Sequence, residues 1–146
     1  MSIYSVIDYI KKRGLGANVP IKAPIRKSTA TAINATATVT ATQLKGGLLT
    51  STSEAAVTMT LPTATLIGTA LNAEQGTTFD FYVDNTAGAN TVTVAVGSGI
   101  VAAKQTGTGN TANDVLLTVA ASSTVGVGLF RLYFKSATAA ILYRIG

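Results

Sequence analysis

The chain has 146 residues, 47% of them apolar and 12% charged, which fits one domain able to bury about two thirds of its unfolded surface. It contains no Cys, His or Trp, which removes disulfides, thiolate and imidazole chemistry and most zinc ligation. The net charge of +5 sits wholly in residues 1–27, where Lys11, Lys12, Arg13, Lys22, Arg26 and Lys27 stand against Asp8 alone, while five basic and five acidic residues cancel from Ser28 onward.

In chain order, the first element is a short amphipathic helix. Ile3, Val6, Ile7 and Ile10 recur at helical spacing, Ser2 is placed to cap the start, and Lys11, Lys12 and Arg13 complement the C-terminal end before Gly14 stops it. About three turns are marginal alone in water, so this helix needs something to pack on. Gly14, Gly16, Pro20 and Pro24 then mark residues 15–27 as an extended strap. The opening residues lack a basic stretch leading into an apolar core and cleavage site, so no secretory leader is expected.

From Ser28 the pattern alternates with the period of a strand, and the domain boundary is placed there: 1–27 as a basic arm, 28–146 as the body. In residues 35–42 threonines fall on one face and small apolar residues on the other. Gly46-Gly47 suggests a turn or bulge, Val57 to Leu61 a strand closed by Pro62, and Thr63 to Leu71 one or two helical turns. Phe79, Phe81 and Val83 alternate with Asp80, Tyr82 and Asp84, a turn-rich run from Asn85 to Asn90 follows, and Val92, Val94 and Val96 return. That pattern predicts a hairpin with both apolar sets facing inward. Residues 97–113 read as a long loop, with further strands at 115–119, 124–134 and 140–145. Seven or eight short strands predict an all-β body, a single-domain sandwich or jelly roll. The uncharged run from Val115 to Phe130, sixteen residues broken by Thr, Ser and Gly, is too short and too polar to span a bilayer as a helix.

Candidate chemistry is sparse. Asp80 and Asp84 share a strand face but lie about 13 Å apart at about 3.3 Å per residue, too far for a carboxylate dyad. Pairing Asp80 with Glu54 would require two separate strands to meet. Asp84-Asn85 begins an oxygen-rich turn without the alternating Asp and closing Glu of a calcium loop. The glycines at 97–99 and 107–109 lack the Lys-Ser/Thr of a phosphate cradle. Asn34-Ala35-Thr36 matches a glycosylation triplet, expected to be accidental without a leader. The residues therefore imply a non-enzymatic protein with no metal and no cofactor. For the basic arm, nucleic-acid binding has little aromatic support beyond Tyr4 and Tyr9, and a three-turn helix binds membranes weakly. A solvated tail is the plain alternative. Protein docking uses the most features: the apolar stripe of Ile3, Val6, Ile7 and Ile10, the stiff strap, and Lys11, Lys12, Arg13, Lys22, Arg26 and Lys27 for acidic patches.

Thr58-Met59-Thr60-Leu61-Pro62-Thr63-Ala64, the run Gly76-Thr77-Thr78-Phe79-Asp80-Phe81-Tyr82-Val83-Asp84-Asn85, then Ala87-Gly88-Ala89-Asn90-Thr91-Val92-Thr93-Val94 and the ending Ala140-Ile141-Leu142-Tyr143-Arg144-Ile145-Gly146 together resemble small β-rich capsid decoration or cement proteins of tailed bacteriophages and similar viruses. The resemblance covers roughly residues 35–146. It implies a sandwich or jelly-roll body, homotrimers, attachment to the major capsid protein, location in the virion after assembly in the host cytoplasm, and no catalytic residues. On this reading the body oligomerises through its neutral Thr/Ala faces and the arm reaches neighbouring capsid subunits. The alternative is a fibre-type module that binds receptors or carbohydrate.

Overall fold

The computed structural model describes residues 27–103 and 117–146. These form a mostly β protein with two short helices. The elements are β1 (Thr29–Ala32), β2 (Ala37–Thr38), α1 (Ala41–Lys45), β3 (Gly47–Thr50), β4 (Val57–Thr60) and α2 (Ala64–Leu71), followed by β5 (Thr78–Asp84), β6 (Val92–Ala95), β7 (Ile100–Ala102), β8 (Thr118–Val119), β9 (Val127–Ser136) and β10 (Ala139–Arg144). The strands make two mixed sheets, one of six in the order β1-β3-β5-β9-β10-β7 and one of four in the order β2-β4-β6-β8.

From β1 to β9 each successive strand falls in the other sheet. The pairs β1–β3, β3–β5, β2–β4 and β4–β6 are parallel. Parallel neighbours cannot be joined by a tight turn, because the chain must return to the same end before pairing again. Here it returns through the opposite sheet. Among the described strands, only β9 and β10 are consecutive and pair with each other, antiparallel, through the turn at Ala137-Thr138.

This arrangement corrects the hairpin expected over 79–96. β5 pairs with β3 and β9, and β6 pairs with β4 and β8, so the two strands lie in different sheets. The inward faces nevertheless match the expectation: Phe79, Phe81, Val83, Val92 and Val94 are buried and Val96 packs against the core. Burial fixes which face is apolar in either pairing, and the turn-forming residues 85–90 serve a crossing between sheets as well as a hairpin.

The alternating run at 35–42 is also shorter as a strand than its pattern suggests. Only Ala37 and Thr38 are β, and α1 begins at Ala41. The local reason is a capping box: Thr40 Oγ1 accepts from the Gln43 N–H at 3.2 Å while Gln43 Oε1 accepts from the Thr40 N–H at 2.8 Å. α2 follows the same logic with Thr63 as its cap and ends at Asn72, whose φ of 51° is left-handed. Gly68, a poor helix former by type, is required in α2. A Cβ would stand 2.1 Å from the Ala137 carbonyl oxygen in the β9–β10 turn.

Both sheets contribute to a single buried cluster, in which Leu49, Phe81, Val83, Phe130, Leu132, Phe134 and Leu142 from the six strands join Val57, Met59, Val92, Val94 and Val119 from the four. Phe81 and Phe130 stack with ring centroids 5.4 Å apart. Burying each such side chain contributes about 1.5–3 kcal/mol before ordering entropy. Gly128 keeps the interior closed, since a Cβ would lie 2.7 Å from Val119 Cγ2 and 2.8 Å from Phe130 Cε2.

Candidate functional site

Strand alternation that buries one side chain exposes the next. Along β5 this leaves Thr78, Asp80, Tyr82 and Asp84 outward, and along β9 Val127, Leu129, Arg131, Tyr133 and Lys135. β3 adds Leu48, β7 adds Val101, and β10 with its following residue adds Ile141, Tyr143 and Ile145. The registers arrange these side chains in rows across the six-stranded sheet. One row runs Leu48, Tyr82, Leu129, Ile145, the last joined to the sheet by its N–H donating to the Leu129 carbonyl at 2.8 Å. Another runs Thr78, Tyr133, Ile141, Val101.

Between them lies the row Asp80, Arg131, Tyr143. Arg131 Nε and Nη2 each donate to one oxygen of Asp80 at 2.7 Å, a two-point fork. The carboxylate raises the already high pKa of the guanidinium. Asp80 is therefore occupied by a partner and sits on an open sheet face, with none of the enclosure that tunes an acid or base.

The other candidate residues also have local partners. The Asp84 carboxylate accepts from Thr86 Oγ1 at 2.7 Å and from the Thr86 N–H at 2.9 Å, and the hydroxyl, then the amide, hold its pKa below the usual carboxylate value. It forms a local turn at the end of β5. Asn85 is fully buried, and its Nδ2 donates to the carbonyls of Asn90 at 2.8 Å and Val119 at 3.1 Å, tying the end of β5 to β8 in the other sheet. Asn34 accepts through Oδ1 from the Thr52 N–H at 2.9 Å. Arg144 donates to the Thr118 carbonyl and lies 5.7 Å from the Phe130 ring centroid, and its partial burial lowers its pKa. Among the described residues no three acidic or other metal-ligating side chains gather, and no helix is long and apolar enough to cross a membrane.

The residues singled out in the arm, Ile3, Val6, Ile7, Ile10, Lys11, Lys12, Arg13, Lys22 and Arg26, lie outside the described residues. Lys27 is exposed just before β1, beside a shallow depression of about 350 Å³ lined by Thr29, Thr31, Gln43 and Lys45. The sequence reading missed the outer face of the six-stranded sheet, although one signal was available. Tyr82, Tyr133 and Tyr143 occupy outward positions of strands whose inward positions are apolar, and aromatic side chains are enriched at protein interfaces relative to other surfaces. Comparison with known protein families, curated proteins and solved structures finds no match.

Proposed function

We propose that this is a non-enzymatic virion structural protein that decorates or cements a capsid by binding major capsid subunits and its own copies. The observation that carries the reading is the outer face of the six-stranded sheet, where Val101, Tyr82, Ile145 and Tyr143 are 63%, 46%, 49% and 41% exposed. A contiguous exposed apolar face is what an adhesive protein needs and what a free-standing domain avoids. The body is read as a two-layer β-sandwich, supported by the single buried cluster that both sheets share. The arm reaches adjacent subunits by burying Ile3, Val6, Ile7 and Ile10 while Lys11, Lys12, Arg13, Lys22, Arg26 and Lys27 meet acidic patches, and many copies on one particle add avidity.

The test is co-sedimentation with capsid shells, empty and genome-filled, over a salt series. Ile7→Ser with Ile10→Ser should release the protein about as effectively as replacing Lys11, Lys12 and Arg13 by Ala. Binding only to exposed genome, unaffected by the isoleucine changes and falling about 0.9 log units per log unit of salt for each duplex phosphate neutralised, would assign the arm to nucleic acid. The second reading is a receptor- or carbohydrate-binding module, favoured by the three outward tyrosines. Retention on a glycan array that is lost with Tyr82→Ala would support it.

A further inference from the structure

The six-stranded sheet has an approximate symmetry in its content. Its centre falls between β5 and β9, with three strands on either side. At that centre Asp80 stands beside Arg131 and Tyr82 beside Leu129, while one strand further out Leu48 on β3 answers Ile145 after β10. A two-fold axis parallel to the strands and passing between β5 and β9 superposes opposite sides of one face on another copy of it. It sets each Arg131 over the other copy's Asp80, each Tyr82 over Leu129 and each Leu48 over Ile145. We propose that this outer face is where a second copy of the chain docks, face to face about that axis.

Three observations support a second copy as the occupant. An isologous contact requires a surface complementary to itself, and the central registers supply opposite charge over opposite charge with apolar over apolar. Among the described residues the charges in the central rows are Asp80 and Arg131, which pair with one another, so these rows present no net charge to a copy. The face is also broad: Val101, Tyr82, Ile145 and Tyr143 are well exposed and Leu48, Leu129, Tyr133 and Ile141 partly so, across five strands, against the roughly 600 Å² per partner that a small specific interface takes. The Asp80–Arg131 pair then fixes orientation, because turning one copy by half a turn in the plane of the face would set Asp80 over Asp80 and Arg131 over Arg131.

The inference rests on the proposed function for the statement that copies bind one another, and it adds the surface and the symmetry. Sedimentation velocity of the full chain from about 1 to 100 μM tests it, a range that spans the micromolar association of small specific interfaces. Wild type should sediment as a dimer. Tyr82→Glu should be monomeric with unchanged circular dichroism, whereas Thr93→Glu on the other sheet should remain dimeric. Asp80→Arg and Arg131→Asp should each weaken association at least tenfold alone, and an equimolar mixture of the two should restore the dimer, because only the mixed pair of variants places opposite charges across the axis.

A wild type that is monomeric throughout overturns the inference, as does a trimer whose mass Tyr82→Glu leaves unchanged, or a charge-swap mixture that fails to associate. If a monomeric wild type begins to dimerise when Ile3, Ile7 and Ile10 are changed to Ser, the chain's own arm covers the face, which also overturns it. Monomeric protein that still co-sediments with capsid shells in a Tyr82-dependent way overturns the dimer and leaves the decoration function standing.

Discussion

The two sheets expose two faces built on one plan with different contents. On the four-stranded sheet Thr58 and Thr60 on β4, Thr93 and Ala95 on β6 and Thr118 on β8 point outward, continued by Thr38 on β2. On the six-stranded sheet the same alternation presents tyrosine, leucine, isoleucine and valine around one ion pair. Neither face carries net charge at its centre, so charge does not distinguish them. Threonine satisfies the pleat through its branched Cβ while its hydroxyl keeps the surface hydrated. The aromatic and aliphatic face satisfies the same pleat and leaves apolar area in water. One backbone pattern thus gives one face suited to solvent or to light packing and another that gains by being covered.

The largest expected effect breaks the distinction between inner and outer positions within one strand. Val94 has no exposed surface, so Val94→Asp places an unpaired charge in the shared core and should abolish the cooperative thermal transition. Thr93→Asp, one residue away on the outer face, should retain β-type circular dichroism and a transition. Equal tolerance at the two positions would show that the assignment of faces is wrong.

Next in size is Gly128→Val on the inner face of β9, where the new side chain meets Val119 and Phe130. Overpacking of this kind costs typically about 1–3 kcal/mol, read from the midpoint of a urea titration. Val127→Thr, on the outer face of the same strand, should change stability by no more than about 0.5 kcal/mol.

A smaller effect sharpens the contrast between the outer faces themselves. Thr58→Val with Thr93→Val makes two paired neighbours on the four-stranded sheet apolar. It should leave monomer stability within about 0.5 kcal/mol and raise binding of a hydrophobic dye. A dye signal equal to wild type would mean that threonine methyls already make this face as apolar as the other.

The smallest concerns Asp84 at the rim. Its folded pKa is depressed, chiefly by the Thr86 hydroxyl, so its contribution to stability is present above the unfolded pKa and is lost as pH falls through the folded value. Thr86→Val should lower stability at pH 7 by about 0.3 kcal/mol, the size expected for an exposed charged group. It should also flatten the loss below about pH 4. Parallel acid-denaturation curves for variant and wild type would remove Asp84 as a contributor.

Strand identity was largely legible in particular residues. The alternation of Phe79 to Asp84 and of Val92 to Val96 carried the right inward faces, Pro62 closed β4, and Thr63 to Leu71 became α2. The alternation over residues 35–42 misled because the capping box of Thr40 and Gln43 won locally over strand propensity. The apolar outer face was partly visible in Tyr82, Tyr133 and Tyr143, yet their neighbours Ile145, Leu48 and Val101 are distant in sequence and meet only through sheet registers.

The sequence by itself determined that the body is rich in β structure, which side of each strand is apolar, and that the body from Ser28 onward carries no net charge, because each of these depends on residue type at short range. Only the tertiary structure decided which strands are neighbours. Pairing is a long-range choice among strands with near-identical alternation, and the crossing from one sheet to the other uses the same turn residues as a hairpin. The rows of the six-stranded outer face depend on that choice. Had β6 taken the place of β9 beside β5, Tyr82 would have had a different neighbour from Leu129 and the Arg131–Asp80 fork would not have formed.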